Sequence, residues 1–285
     1  MDAHSKMIKF QKIFTDLKKL NQERLKKRPD KNARGPAGKE ATRIGHELEA
    51  FLKKIKGIPV IIVSHNNHCH VAQMARQLNI HKIHPIIIDN ASTDSTTITG
   101  LKEISKSGQA SIIFSQKNFG HMVGFIEPIY EKLPNFFAYT DPDLAFSENL
   151  PEDFLQVLAN LTEEFQVYKA GCALPYVLEG RTLSAKKTSI SARTPFRFTS
   201  EHTIQEWESK YWKQKLVHDI EIYAAQIDTT FAVYNKAKYR GFFVDAIRVA
   251  GQFSAIHLPW FDDLDPMTAP QKEVYQSNNR STSWK

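Results

Sequence analysis

Cysteine is nearly absent from this chain: Cys69 and Cys172 are the only two in 285 residues. Two thiols cannot build a disulfide framework or a structural zinc site, and a reducing cytoplasm suits such a chain. Long apolar runs are missing too. No stretch approaches the roughly 18–20 unbroken apolar residues of a membrane span. The opening segment MDAHSKMIKFQKIF lacks the charged, apolar, small-residue layout of a secretory signal. There is no internal repeat and no low-complexity tract.

What is present is 41% hydrophobic residues, enough for one large domain or two small ones with a substantial core. The charge is unevenly placed. Residues 1–57 carry 16 Lys and Arg against 7 Asp and Glu, whereas the other 228 residues carry 22 against 24. The basic character belongs to the N-terminal segment, so the body of the protein does not read as a nucleic-acid binder.

The spacing of Met7, Phe10, Ile13, Phe14, Leu17 and Leu20 predicts a basic amphipathic helix over 6–28. A Pro/Gly-rich loop over 28–38 follows, then a second helix through Ile44, Leu48, Phe51, Leu52 and Ile55. A basic amphipathic helix can lie on an anionic bilayer, so peripheral contact with the inner membrane face through residues 1–38 is one expectation. The other is that the apolar stripe packs on the body of the protein.

From residue 57 the texture changes. Short β-branched runs at 59–64, 85–88, 111–114 and 136–139 alternate with helical patterns at 69–79, 95–107 and 122–132. This alternation predicts an α/β fold with a mainly parallel, doubly wound sheet. The expected organisation is a helical extension over 1–56 and a domain over 57–285. Ligands in such sheets sit beyond the carboxyl ends of the strands. Those ends carry Ser64-His65-Asn66-Asn67, Asp89-Asn90-Ala91-Ser92-Thr93-Asp94, Asn118-Phe119-Gly120-His121 and Asp141-Pro142-Asp143.

Two carboxylates one residue apart, on a chain leaving a strand, can share one hard divalent cation such as Mn²⁺ or Mg²⁺. A bare Asp-x-Asp arises by chance about once in a chain of this length, and Asp263-Leu264-Asp265 is a second one. Only the first follows an apolar strand. Asp89 can accept hydrogen bonds from a base or ribose, while Ser92 and Asp94 suit a turn and a helix cap. Gly120 allows close backbone approach, and Asn118 and His121 can hold ribose or phosphate, or the run forms a plain turn. His65, His68, His70, His81 and His84 lack zinc spacing.

Taken in order, these four strand-end motifs resemble those of family 2 and related GT-A glycosyltransferases. The resemblance covers 58–150, about a third of the chain. It implies the GT-A fold, with a donor-nucleotide half over 57–150 and an acceptor half over 151–285. It also implies a nucleotide diphosphosugar donor, commonly UDP-linked, and Mn²⁺ or Mg²⁺. On it, Ser64, Asn66, Asp89, Asn118, Gly120 and Asp141 are expected to contact the donor, and Asp141 and Asp143 the metal. His257 is the candidate third ligand, against a core histidine. The acceptor is expected to be a glycan, a lipid-linked molecule or a small molecule.

The second half departs from the family pattern, because no Glu-Asp pair heading a late helix is found. Asp228, at the mouth of the strand-like run 227–234, is the candidate base, or else a sugar or acceptor contact or a turn residue. Trp207, Trp212 and Trp260 can stack on sugars or fill the core. Arg280 and Trp284 belong to the polar tail over 275–285, read as a lid over the diphosphate or as a free terminus. Two other readings compete: a non-catalytic nucleotide-sugar-binding protein on this fold, and a sugar nucleotidyltransferase. The latter needs a Gly-rich loop after the first strand, and 64–67 contains no glycine.

Overall fold

The structure, a computed structural model, describes residues 36–192 and 198–278. The helix expected over 6–28, and Arg280 and Trp284, lie outside the described residues.

The first half alternates as expected: α1 (Pro36–Leu52), β1 (Val60–Ser64), α2 (His68–Ile80), β2 (Ile86–Asp89), α3 (Ser95–Lys106) and β3 (Ser111–Phe114). It continues through α4 (Glu127–Tyr130), β4 (Phe136–Thr140), β5 (Leu144–Phe146) and α5 (Phe154–Glu164). The second half holds β6 (Lys169–Cys172), β7 (Lys187–Ala192), β8 (Phe198–Thr203), α6 (Ile204–Glu208) and β9 (Ile222–Tyr223). It closes with β10 (Ala232–Asn235), β11 (Ala246–Val249), β12 (Ala255–His257) and α7 (Ala269–Asn278).

Eight strands form one sheet in the order β3-β2-β1-β4-β10-β6-β11-β9. The pairings β1 with β2, β2 with β3, β1 with β4 and β6 with β11 are parallel. β10 runs antiparallel between β4 and β6, and β9 antiparallel to β11. The sheet is therefore mixed and mostly parallel, with helices on both faces.

Side-chain alternation along β1 explains the two faces. Val60 and Ile62 join a core under α2, α3 and α5, with Val71, Met74, Leu101 and Leu158. Ile61 and Val63 point the other way, into a core closed by α1 through Ala41, Ile44 and Leu48. Strands apolar on both sides give unbroken runs, which is why they stand out in the sequence.

Two expected elements differ. Residues 122–132 do not form one helix. A 3₁₀ turn at Val123–Phe125 is followed by an extended Ile126 and then by α4, with Pro128 in its first turn. Proline has no N–H to continue a helix from upstream, but fits the first turn. The strand expected over 227–234 begins only at Ala232. The preceding residues form a loop whose polar groups serve the cleft.

Candidate active site

β1, β2, β3 and β4 end on the same edge of the sheet because they are parallel. β10 is antiparallel, so its beginning lies at that same edge: Ala232 sits opposite Tyr139. The loop before β10 is thereby laid beside the chain leaving β4. Thr229 Oγ1 donates to Asp141 Oδ2 at 2.7 Å, and Asp141 N donates to Thr229 O at 3.2 Å. A second device brings in His257. β5 and β12 form a two-stranded antiparallel ribbon in which Leu144 faces His257. Leu258 N donates to Asp143 O at 2.9 Å, and His257 Nε2 stands 3.5 Å from Asp143 Oδ2.

The electrostatics follow from this crowding. Burial, then the charge of Asp143 and more weakly that of Asp228, pushes the Asp141 carboxyl well above the usual range; the Thr229 hydroxyl opposes this. Burial lowers the His257 imidazole, and Asp143 only partly offsets it. A neutral imidazole is the form that binds a metal. Asp143 Oδ1 and His257 Nδ1 are buried without a hydrogen-bond partner among the described residues.

These groups open onto a cleft of about 660 Å³, also lined by Ser64, Asn118 and Asp228. That volume lies within the usual range for ligand pockets. Asp228 is exposed in it. Asp141, Asp143, Asp228, His257, Ser64 and Asn118 are thus brought together around one cavity.

Asn66, Asp89 and Gly120 do not line it and are engaged in loop building. The Asp89 carboxylate accepts from Ser92 Oγ and, at 3.2 Å, from Ser92 N. Burial raises the Asp89 carboxyl, while those two bonds oppose the rise. Asn66 has φ +54°, and its Oδ1 accepts from Thr93 N at 2.9 Å and Asp94 N at 3.0 Å. Asp94 caps α3 by accepting from Thr97 N at 2.7 Å. Gly120 has φ +79°, a conformation that favours glycine, and its carbonyl accepts from Asn90 Nδ2 at 2.9 Å. Asn90 also donates to Asn118 Oδ1 at 2.9 Å. It ties the second strand-end loop to the third.

The cleft is also lined by residues with no role assigned from sequence, Glu208, Lys210, Tyr211 and Arg248, together with Trp207. Arg248 Nε donates to Gln226 O at 2.9 Å and its guanidinium pairs with Glu208. In the next strand, buried Lys169 Nζ donates to Asp228 O at 2.7 Å. Two cations thus grip the carbonyls of the loop that carries Asp228. A signal existed, since a lysine and an arginine interrupt the otherwise apolar runs of β6 and β11.

The second Asp-x-Asp does structural work. Asp265 Oδ1 is 3.1 Å from His70 Nε2 and Asp265 Oδ2 is 3.1 Å from Lys272 Nζ, while Asp263 pairs with Arg181. Of Trp207, Trp212 and Trp260, Trp260 is buried with its ring 4.7 Å from His257 and Trp212 packs on Tyr223 at 5.1 Å. The five early histidines are dispersed: His65 bonds Asn90 O, His84 bonds Ser111, and His81 packs on Phe154. No three His, Cys, Asp or Glu side chains among the described residues are placed to hold a metal by themselves.

No family model and no curated protein matches the chain. Among solved structures it is similar to a mannosyltransferase, PcManGT from Pyrobaculum calidifontis, in complex with GDP-Man and Mn²⁺, at 13% identity and a TM-score of 0.34 over 48% of this chain and 44% of that one. It is similar to S. aureus TarS 1–349 at 13% identity and a TM-score of 0.35, over 64% of this chain and 48% of that one. It is also similar to GalNAc-T7 with UDP, GalNAc and Mn²⁺, at 11% identity and a TM-score of 0.41, over 72% and 43%. The match spans less than half of each of those chains. At such scores the functional reading rests on the residues of the cleft.

Proposed function

We propose that this chain is a metal-dependent glycosyltransferase that moves a sugar from a nucleotide diphosphosugar, UDP-linked by preference, to an acceptor hydroxyl. The observation that carries this reading is the meeting of three carboxylates and one imidazole at a strand-end cleft. Asp141 and Asp143 leave β4, His257 stands 3.5 Å from Asp143, and Asp228 lines the same cleft from the loop before β10.

The donor set suits Mn²⁺ or Mg²⁺. Two carboxylates and one imidazole are hard-to-borderline ligands, and Asp143 Oδ1 is buried with no other partner among the described residues. Such ions are commonly held by one or two carboxylates with phosphate oxygens completing the shell, so a full protein cage is not required. When bound, the ion supplies positive charge that neutralises the leaving diphosphate.

The chain's own residues would do the rest. Ser64, Asn118 and the loops scaffolded by Asn66, Asp89 and Gly120 receive the nucleotide in the half over 57–150. Thr229 fixes the Asp141 carboxylate. Asp228 accepts the proton of the acceptor hydroxyl as its oxygen bonds to the anomeric carbon and the carbon–phosphate-oxygen bond breaks. That is a single displacement with inversion. The nucleoside diphosphate departs with the bonding electron pair.

The test is release of nucleoside diphosphate from UDP- and GDP-linked sugars. Release that needs Mn²⁺ or Mg²⁺ and stops with EDTA supports the proposal. No release from any donor, with or without acceptor mixtures, contradicts it.

A further inference from the structure

The cleft also holds a feature that the transfer chemistry does not use. Glu208, at the end of α6, and Arg248, in the middle of β11, form an ion pair with side chains 2% and 6% exposed. Both line the cleft. Burial raises the Glu208 carboxyl up to about 7, against the pull of the Arg248 charge. A buried ion pair contributes little net stability, because desolvation offsets its attraction, and an apolar pair of similar volume often folds as well. Arg248 is flanked in its strand by buried Ile247 and Val249, so an apolar residue would suit that strand. Placement of the pair on a cavity wall points to recognition.

Its surroundings narrow the ligand. The Arg248 guanidinium lies 4.0 Å over the Tyr211 ring. Trp207 is half-buried, with Lys210 Nζ 3.1 Å over its ring. The charges of Arg248, Glu208 and Asp228 all act on Tyr211, so this wall and the candidate base border one space. In the ionised pair Glu208 offers only acceptors and Arg248 only donors, fixed side by side; adjacent hydroxyl groups, each both donor and acceptor, match that array. Indole and phenol rings also have a second face, away from the cation, whose apolar surface beside a polar tip suits the C–H face of a sugar ring. A lipid tail would instead require a continuous apolar groove, and here a buried charge pair interrupts the wall.

We propose that the acceptor is itself a carbohydrate, held through adjacent hydroxyls by Glu208 and Arg248 and through a ring face by Trp207 and Tyr211. This rests on the transferase reading, so the experiment separates the two. Saturation-transfer NMR on the full chain with UDP and Mn²⁺ uses four probes: methyl glucoside, galactoside, mannoside and N-acetylglucosaminide. UDP binding is measured in parallel by calorimetry. At least one pyranoside should receive saturation in the wild type. Trp207→Ala should bind it about tenfold more weakly, with partial recovery in Trp207→Phe. Glu208→Gln should weaken it as well, and UDP affinity should hold in every variant that melts as the wild type does. If UDP binds but no pyranoside receives saturation, or if Trp207→Ala binds the sugar as tightly as wild type, the carbohydrate-acceptor proposal is overturned. If UDP does not bind at all, the transferase reading fails first and this proposal falls with it.

Discussion

Lys169 Nζ, wholly buried in β6, donates a 2.7 Å hydrogen bond to the carbonyl oxygen of Asp228. It also lies 3.2 Å from Tyr234 Oη and 3.8 Å from the centre of the Phe243 ring. Burial pushes this ammonium well below the usual lysine range, and the Asp228 charge pulls it back. A lysine so placed fixes the backbone of the loop and leaves the Asp228 carboxylate free to face the cleft.

Lys169→Met should therefore separate two functions. With the grip on Asp228 O gone, a shift of about 1 Å in the carboxylate can cost about 10²-fold in transfer rate. Asp228→Asn should cost about 10²–10⁴-fold. Neither residue is proposed as a metal or nucleotide ligand, so UDP affinity by calorimetry should fall far less than the transfer rate. Affinity falling in step with rate would show that Lys169 holds up the whole site.

Asp265 supplies a pH dependence. Burial alone would raise its carboxyl, but the His70 ring, the Met267 N–H and the Lys272 ammonium together bring it down to about 2. Its folded pKa lies below the unfolded value of about 3.9. The pairing therefore stabilises the fold above pH ~4, and that contribution disappears as pH falls through about 2. Asp265→Asn should cost about 1–2 kcal/mol near neutrality, with the gap from wild type closing between about pH 4 and 2. Urea titrations across that range check it; a gap independent of pH would mean the ionised form is not what matters.

The α/β alternation over 57–140 was legible because β1, β2 and β4 are covered on both faces and so print as unbroken apolar runs. The second half was not. β10 lies antiparallel between β4 and β6, and nothing local in Ala232–Asn235 specifies direction. Asp141 and Asp143 stood out because they follow an apolar strand, and Asp94 was readable as a cap. The role of Asp89 was harder to read, since a buried carboxylate that closes its own loop through Ser92 leaves the same strand-end pattern as one that meets a ligand. Glu208 lies far from Arg248 in sequence, and only the fold brings them together.

β6 offers a packing test. A Cβ on Gly171 would stand 2.2 Å from Phe231 O and 2.7 Å from Ala232 Cβ. Neighbouring backbone cannot yield as a flexible side chain would. Gly171→Ala should destabilise by about 1–3 kcal/mol or more, from overpacking between β6 and β10. Thermal melting reads this directly, and an unchanged melting temperature would contradict the close approach of the two strands.

The central claim is that Asp143 helps hold a divalent cation against a nucleoside diphosphate. Calorimetry of UDP binding with Mn²⁺ and with EDTA, on wild type and Asp143→Ala, tests it most directly. The wild type should bind UDP about tenfold or more tighter with Mn²⁺ than with EDTA, because the bound ion neutralises the diphosphate, and Asp143→Ala should show no such difference. Equal UDP affinity with and without metal in the wild type would contradict it.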